Sequence, residues 1–147
     1  MSVQDNIRLD EEFLASWDSH NVDKGLALLS DDVVWYDLGS PQPMRGKAAA
    51  RPYLQAWYTA FPDLKSKVID RIVTEDKVAT EIEFTGTNKG SLQMSPSAPA
   101  IAATGKQIKG KGTYFLHIRN GKIVEVRTYP DTMGMMTQLG LLAMAKG

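Results

Sequence analysis

Residues 110–131, GKGTYFLHIRNGKIVEVRTYPD, decide the architecture. Asn120-Gly121 is the strongest hairpin signal in the chain, because both central positions of the favoured two-residue turn need positive φ. On either side, Gly110–Asn120 and Lys122–Asp131 are strand-length runs rich in β-branched and aromatic residues. A two-residue loop sets Arg119 against Lys122, so His117 is expected opposite Val124. Period-two alternation puts Ile123, Glu125, Arg127, Tyr129 and Asp131 on one face of the second strand and Val124, Val126 and Thr128 on the other. Both faces carry apolar residues. One is therefore expected to border a cavity, and the other a helix or a partner subunit.

Working outward, the same alternation recurs upstream. Val68, Asp70 and Ile72 alternate with Lys67 and Arg71, and Val78, Thr80, Ile82 and Phe84 alternate with Glu81, Glu83 and Thr85. With the hairpin these runs make a four-stranded meander, interrupted by a Ser-, Pro- and Ala-rich loop, Ser91–Gly105, too long for a tight turn. Asp31–Leu38 adds a strand through Val33, Val34, Trp35 and Tyr36, and Gly39–Gly46 is a loop with two prolines and two glycines. Ile7, Leu9, Phe13, Leu14 and Trp17 describe an amphipathic first helix with Asp10, Glu11, Glu12 and Asp18 turned to water. Asn21 or Asp23 caps a short helix bearing Leu26 and Leu29. A third helix presents Ala50, Tyr53, Leu54, Trp57 and Phe61, and ends before Pro62. A helix-like run follows Thr132. Helices gathered on one face of an antiparallel sheet make an α+β domain. The expected form is a cone-shaped curved antiparallel sheet packed on N-terminal helices, spanning residues 1–147 as one domain, whose mouth is a small-molecule pocket.

Composition narrows the chemistry. The chain has 147 residues with 17 basic and 17 acidic side chains and a formal charge of zero, which argues against nucleic acid as a partner. With no Cys, thiol nucleophiles, disulfides and cysteine-bound clusters are excluded, and two His leave no His-rich metal centre. No metal and no cofactor is expected. The acidic start lacks a signal-peptide pattern, and the apolar run Met133–Met144 is too short to span a bilayer. The expectation is a cytoplasmic protein with no membrane association. Met133, Met135, Met136 and Met144 suggest an adaptable apolar wall. Gly86–Gly90 and Gly110–Gly112 lack the spacing of phosphate loops, and no Gly-x-Ser-x-Gly elbow supports serine-hydrolase chemistry.

Two residues could carry acid/base work, and each has a second reading. Asp131, after Pro130 and before Thr132-Met133-Gly134, is either a helix N-cap or a general acid/base whose pKa rises in an apolar pocket. His117 is either a structural hydrogen-bonder or an electrostatic partner, the latter only if it faces the same cavity. Trp35, Asp37, Trp57 and Phe61 end elements near the expected mouth. They are either core or the wall of a slot for a planar ligand.

Four stretches, taken in order, resemble the SnoaL-like polyketide (ester) cyclases of the nuclear-transport-factor-2-like superfamily. They are Asp31-Asp32-Val33-Val34-Trp35, Ala60-Phe61-Pro62-Asp63-Leu64, Gly86-Thr87-Asn88-Lys89-Gly90, and Asn120-Gly121-Lys122-Ile123 running on to Tyr129-Pro130-Asp131 and Gln138-Leu139-Gly140. The resemblance implies a cystatin-like α+β cone that pairs through its sheet as a homodimer or homotetramer. It also implies cofactor-free intramolecular aldol closure of an aromatic polyketide ester. It maps the acid/base onto Asp131 and a pocket histidine, able to donate to the developing oxyanion, onto His117. Trp35, Asp37, Trp57, Phe61, Phe84, Asn88, Phe115, Arg127 and Tyr129 are then the expected contacts for a small hydrophobic or aromatic substrate. Relatives carry His where this chain has Asn88. An epoxide hydrolase of the limonene-epoxide type resembles an Asp–Arg–Asp relay, for which His117-Ile118-Arg119 offers no Asp. An isomerase-like enzyme on the same fold, and a non-catalytic cup for a hydrophobic ligand or dimerisation module, are the remaining alternatives.

Overall fold

A computed structural model describes residues 2–38, 40–93 and 98–142. Gly39, residues 94–97 of the Ser91–Gly105 loop, and Met144 of the proposed methionine wall lie outside the described residues. Helix α1 (Val3–Asp18) opens with a capping box, the Ser2 hydroxyl and the Asp5 carboxylate each accepting the other residue's backbone N–H. Helix α2 (Val22–Ala27) is capped by the Asn21 side chain, which accepts from Lys24 N at 3.0 Å. Strand β1 (Leu29–Asp37), the two-residue strand β2 (Met44–Arg45) and helix α3 (Lys47–Ala60) precede the meander β3 (Lys65–Val73), β4 (Lys77–Thr87), β5 (Gln107–Arg119) and β6 (Lys122–Pro130). Helix α4 (Thr132–Gln138) is the last element among the described residues. Leu29 belongs to β1, not to the second helix, and β2 forms inside the segment expected to be loop.

The six strands form one curved sheet in the order β2-β1-β6-β5-β4-β3. The meander is antiparallel as expected. Strand β1 joins it parallel to β6, with Tyr36 opposite Arg127 and Asp37 opposite Thr128. The concave face packs on α1 and α3 through Phe13, Leu14, Leu54, Trp35, Val78 and Leu116. A second apolar cluster joins Phe61, Phe84, Ile108, Met135 and Leu139 beneath α4. Phe84 stands opposite Gly110, and a Cβ there would come within 2.5 Å of its ring. These glycines make room for aromatic side chains inside the cone.

The hairpin turn is as the sequence predicts, with Asn120 at φ +52° and Gly121 at +75° and Arg119 opposite Lys122. Its register then slips. Ile118 pairs with Ile123 but His117 pairs with Glu125, so Val124 is an extra, bulged residue. One inserted residue moves everything before it to the opposite face. Ile123 therefore shares the inner face with Val126, both fully buried, and does not share the outer face with Glu125 and Arg127.

Helix α1 also differs from its expected polarity. Asp10 is not turned to water; it is fully buried, spaced with Asn6 and Leu14 along the face toward the sheet. It accepts from Tyr114 Oη on β5 (2.5 Å), Thr80 Oγ1 on β4 (2.9 Å) and Arg71 Nε on β3 (2.6 Å). Three strands thus hold one helix through one carboxylate. Removing one partner of a buried charged pair is strongly destabilising because the other remains desolvated. Asp10→Ala should lower unfolding free energy by about 3 kcal/mol, near the low end of such losses because Arg71 is partly accessible and can turn outward. Urea denaturation reads this directly; an unmoved midpoint would mean the carboxylate does not anchor α1.

Candidate active site

The cavity follows from these packing constraints. Where α1 and α3 meet the mouth of the cone, residues from both helices and five strands leave a space of about 90 Å³. Phe13, Leu14 and Trp17 come from α1, Tyr53 and Trp57 from α3, and Trp35 from β1. Ile82 and Phe84 of β4, Gly112 to Tyr114 of β5, and Thr128 to Pro130 of β6 complete most of the wall, with Leu64 and Ser66 at the start of β3. The surface of this space is almost wholly apolar. Aromatic rings touch in series: Phe13 lies 5.3 Å from Tyr114 and 6.0 Å from Trp35, and Trp35 lies 5.3 Å from Tyr53. A cavity of about 150 Å³ holds benzene, and sites for drug-sized ligands run to about 300–1,000 Å³. This one accommodates the edge of a ring, so a larger ligand must extend through the mouth.

Beside the mouth lies a recess of about 10 Å³, enough for one water-sized molecule, lined by Asp37, Ala56, Trp57, Leu92, Gln93, Pro130, Thr132 and Met135. Trp57 and Pro130 belong to both spaces. Asp37 Oδ1 accepts from Thr128 Oγ1 at 3.2 Å. Burial first, and then the Asp37 charge, push the Tyr53 phenol well above its ordinary pKa, while contacts with Thr128 and Trp57 oppose the shift. Carboxylate, phenol and hydroxyl from three elements therefore meet where cavity and recess join.

The expected site residues divide sharply. Trp35, Trp57, Phe84 and Tyr129 line the cavity, and Asp37 lines the recess. Phe61 is core, fully buried behind Trp57 and over Gly86. Asn88 borders neither space. Its amide donates to Ala60 O and Gly90 O and accepts from Thr104 N and Oγ1, all between 2.9 and 3.2 Å. Buried and fully partnered, it ties the end of β4 to α3 and to the following loop; it is not placed to hold a substrate. Phe115 and Arg127 stand opposite each other on the outer face, Arg127 donating to Glu125 at 2.7 Å. His117 is on that outer face too, 3.8 Å from Asp76, because Tyr114, Leu116 and Ile118 take the inward positions of β5. It does not meet Asp131.

Asp131 caps α4, its Oδ1 accepting from Gly134 N at 2.9 Å, and it is exposed. The carboxylate is thus at the rim, between Pro130 and Thr132 of the recess wall, and outside the apolar cavity. Sequence reasoning placed Phe13, Leu14, Trp17 and Tyr53 on helix faces but not around a ligand space, and it passed over Tyr114 and Thr128. The signal for the last two was present: Tyr114 pairs with Thr128 on the inner face, two residues from Leu116 and Val126.

The model for the SnoaL-like polyketide cyclase family matches residues 7–139, and the chain belongs to that family. No curated protein is similar enough to count as a relative. Among solved structures, AclR from Streptomyces galilaeus, a proposed hydroxylase, superposes with a TM-score of 0.82 at 24% identity, over 97% of this chain and 85% of its own. A proposed SnoaL-like polyketide cyclase from Jannaschia sp. CCS1 gives 0.82 at 16% identity, over 92% of each chain. An NTF2-like protein from Burkholderia xenovorans LB400 gives 0.71 at 19% identity, over 95% of this chain and 98% of its own. At these identities the likeness is one of fold, and the fold is NTF2-like. No helix among the described residues is long and apolar enough to cross a membrane.

The phenols in and beside the cavity, Tyr53 and Tyr114 in its wall and Tyr58 against Trp17, give a measurable signature. Burial pushes Tyr58 up to about 12 and raises Tyr53 and Tyr114 well above the ordinary phenol value, Tyr53 also through the Asp37 charge and Tyr114 through the adjacent Asp10 charge. A phenol is neutral when protonated, so a raised folded-state value stabilises the fold below pH about 10 and that stabilisation is lost as pH rises beyond it. Phenolate absorbance should show these three ionising only as the chain unfolds in alkali. Their smooth titration near pH 10 in a folded chain would contradict the packing.

Proposed function

We propose that the protein closes a ring on a small aromatic polyketide-type ester by an intramolecular, aldol-type, acid/base reaction that needs no cofactor. The observation that carries this reading is the apolar aromatic cavity opening onto a rim that bears two carboxylates, Asp37 in the recess and Asp131 at its edge. A carbon between two carbonyls is acidic enough for a carboxylate to deprotonate. The ring edge seats in the cavity, and the rest of the chain folds back over the recess, bringing nucleophilic carbon and carbonyl together. In this reading Asp131 takes the proton and returns it to the alkoxide formed on closure. Its desolvation comes from the substrate that covers the rim, since water withdrawn from a carboxylate strengthens it as a base.

Asp131→Asn tests the assignment cleanly. Asn caps helices as well as Asp does, so the fold is retained while the base is lost. Turnover of a cyclisable polyketide ester should fall roughly 10²–10⁴-fold, the usual contribution of a positioned general base, with the melting temperature unchanged. A second reading, a non-catalytic cup for a hydrophobic ligand, is favoured by the exposure of Asp131 and its engagement with Gly134 N–H. Binding of a hydrophobic ligand with no turnover by the parent chain would establish that reading instead, whereas turnover within a few-fold of the parent in Asp131→Asn would remove Asp131 as the base.

The same proposal takes the outer sheet face as the surface on which copies pair. Ile72, Ala79, Phe115, Arg127 and Tyr36 form one cross-strand row over five strands, with Phe115 44% and Tyr36 40% exposed. Phe115→Glu should convert a sedimenting dimer to monomer; an unchanged sedimentation coefficient would remove this face from the assembly.

A further inference from the structure

The wall of the cavity holds one polar group that the protein leaves unmatched. Trp35 is 1% exposed and lines the space, and its indole Nε1–H is buried with no acceptor among the described residues. The rings against it, Phe13, Trp17 and Tyr53, pack edge-on or tilted and cushion it with carbon. Buried donors are nearly always paired, and an orphan calls for an explanation. The hydroxyls of the same wall set the contrast. Ser66 donates to Asp18 at 2.8 Å, Tyr114 to Asp10, and Thr128 to Asp37. Each is turned away onto a carboxylate of the protein itself, whereas the indole N–H has none.

We infer that Trp35 Nε1–H is the donor for a carbonyl oxygen that the ligand carries into the cavity, so that the site selects a cyclic ketone or equivalent acceptor over a hydrocarbon of the same shape. An apolar wall with one unmatched donor accepts a planar, mostly apolar body and discriminates on a single oxygen. Hydrogen-bonding sites reject analogues that leave a buried partner empty far more strongly than they reject a missing methylene. The inference deepens the reading above by naming the functional group that the cavity takes. It is read from binding, so loss of ring-closing activity and loss of ketone selection are separate results.

The probes are cyclopentanone and methylenecyclopentane, single rings that differ by an oxygen in place of a CH₂ group and that enter by one edge through the mouth. In the ¹⁵N-labelled full chain, cyclopentanone should move the Trp35 indole N–H resonance downfield, and methylenecyclopentane should not. The ratio of ketone to hydrocarbon affinity should fall roughly tenfold in Trp35→Phe, equivalent to about 1.4 kcal/mol, because Phe keeps a ring in place but has no donor. A Trp35 resonance unmoved at saturating ketone overturns the inference, and so does an affinity ratio that survives Trp35→Phe. An N–H resting on the face of a neighbouring ring would give that negative result. The resonance in the unaltered chain gives its answer whether or not the variant folds.

Discussion

A single buried carboxylate sets the spacing on which the cavity depends. Asp10 draws donors from β3, β4 and β5 onto α1, so the helix cannot slide or lift without stranding a charge in the core. Such clusters add little net stability over a well-packed apolar replacement, because desolvation offsets most of the attraction. What they do is reject alternatives: no other rotation of α1 satisfies the Tyr114, Thr80 and Arg71 donors together. With α1 held there, Phe13, Leu14 and Trp17 stand off from the sheet by a fixed distance. Tyr114, held at its hydroxyl, becomes a rigid wall. The space between them remains open because nothing can collapse into it.

The rim is built by a second set of contacts, and these explain the motifs through which the chain resembles its family. In the Phe61-Pro62-Asp63 stretch, Phe61 covers Gly86, while Asp63 accepts from Thr87 N and Oγ1; those bonds hold its carboxyl below the usual range. Asn88 fastens the next turn. At the far end Gln138 binds the Lys109 backbone like a strand neighbour, its Oε1 accepting from Lys109 N at 2.6 Å and its Nε2 donating to Lys109 O at 3.0 Å. Leu139 fills the second apolar cluster, and Gly140 takes φ +72° to end the helix. The recurring residues are therefore mostly those that hold a mouth open at a set width. The cavity wall is made by residues that the motifs do not name, which fits a fold that hosts varied chemistry on one frame.

How far the sequence could be read follows the range of the interactions. The Asn120-Gly121 turn and the helix ending before Pro62 are local, and a few neighbouring residues determine them. The meander follows from period-two alternation within each strand. The bulge at Val124 is different. It depends on fitting Ile118 and Ile123 together inside the cone, and no local signal marks which residue is extra. The face that His117 takes is beyond local reading on the same ground, since it is set by the inward Tyr114, Leu116 and Ile118. Asp10 looked like one more acidic residue among Glu11 and Glu12. Only its donors, some 60 to 104 positions away, distinguish it. Asp131 was legible as a cap, and the cap is what the geometry displays.

On the proposed reading, the site separates holding from reacting. Inside, hydroxyls are turned onto carboxylates and the surface offered to a ligand is carbon, so binding there draws on apolar contact, worth about 25 cal/mol per Å² removed from water. Such contact is nearly indifferent to orientation. Charge is confined to the rim, where Asp37 and Asp131 belong to elements that meet at Pro130 and Thr132. A ligand longer than the cavity must therefore cross from carbon to carboxylate at one place, and its fold at that crossing is dictated by the width of the mouth. Changing side chains deep in the cavity should alter which ring is held, whereas changing the rim alters what happens to it.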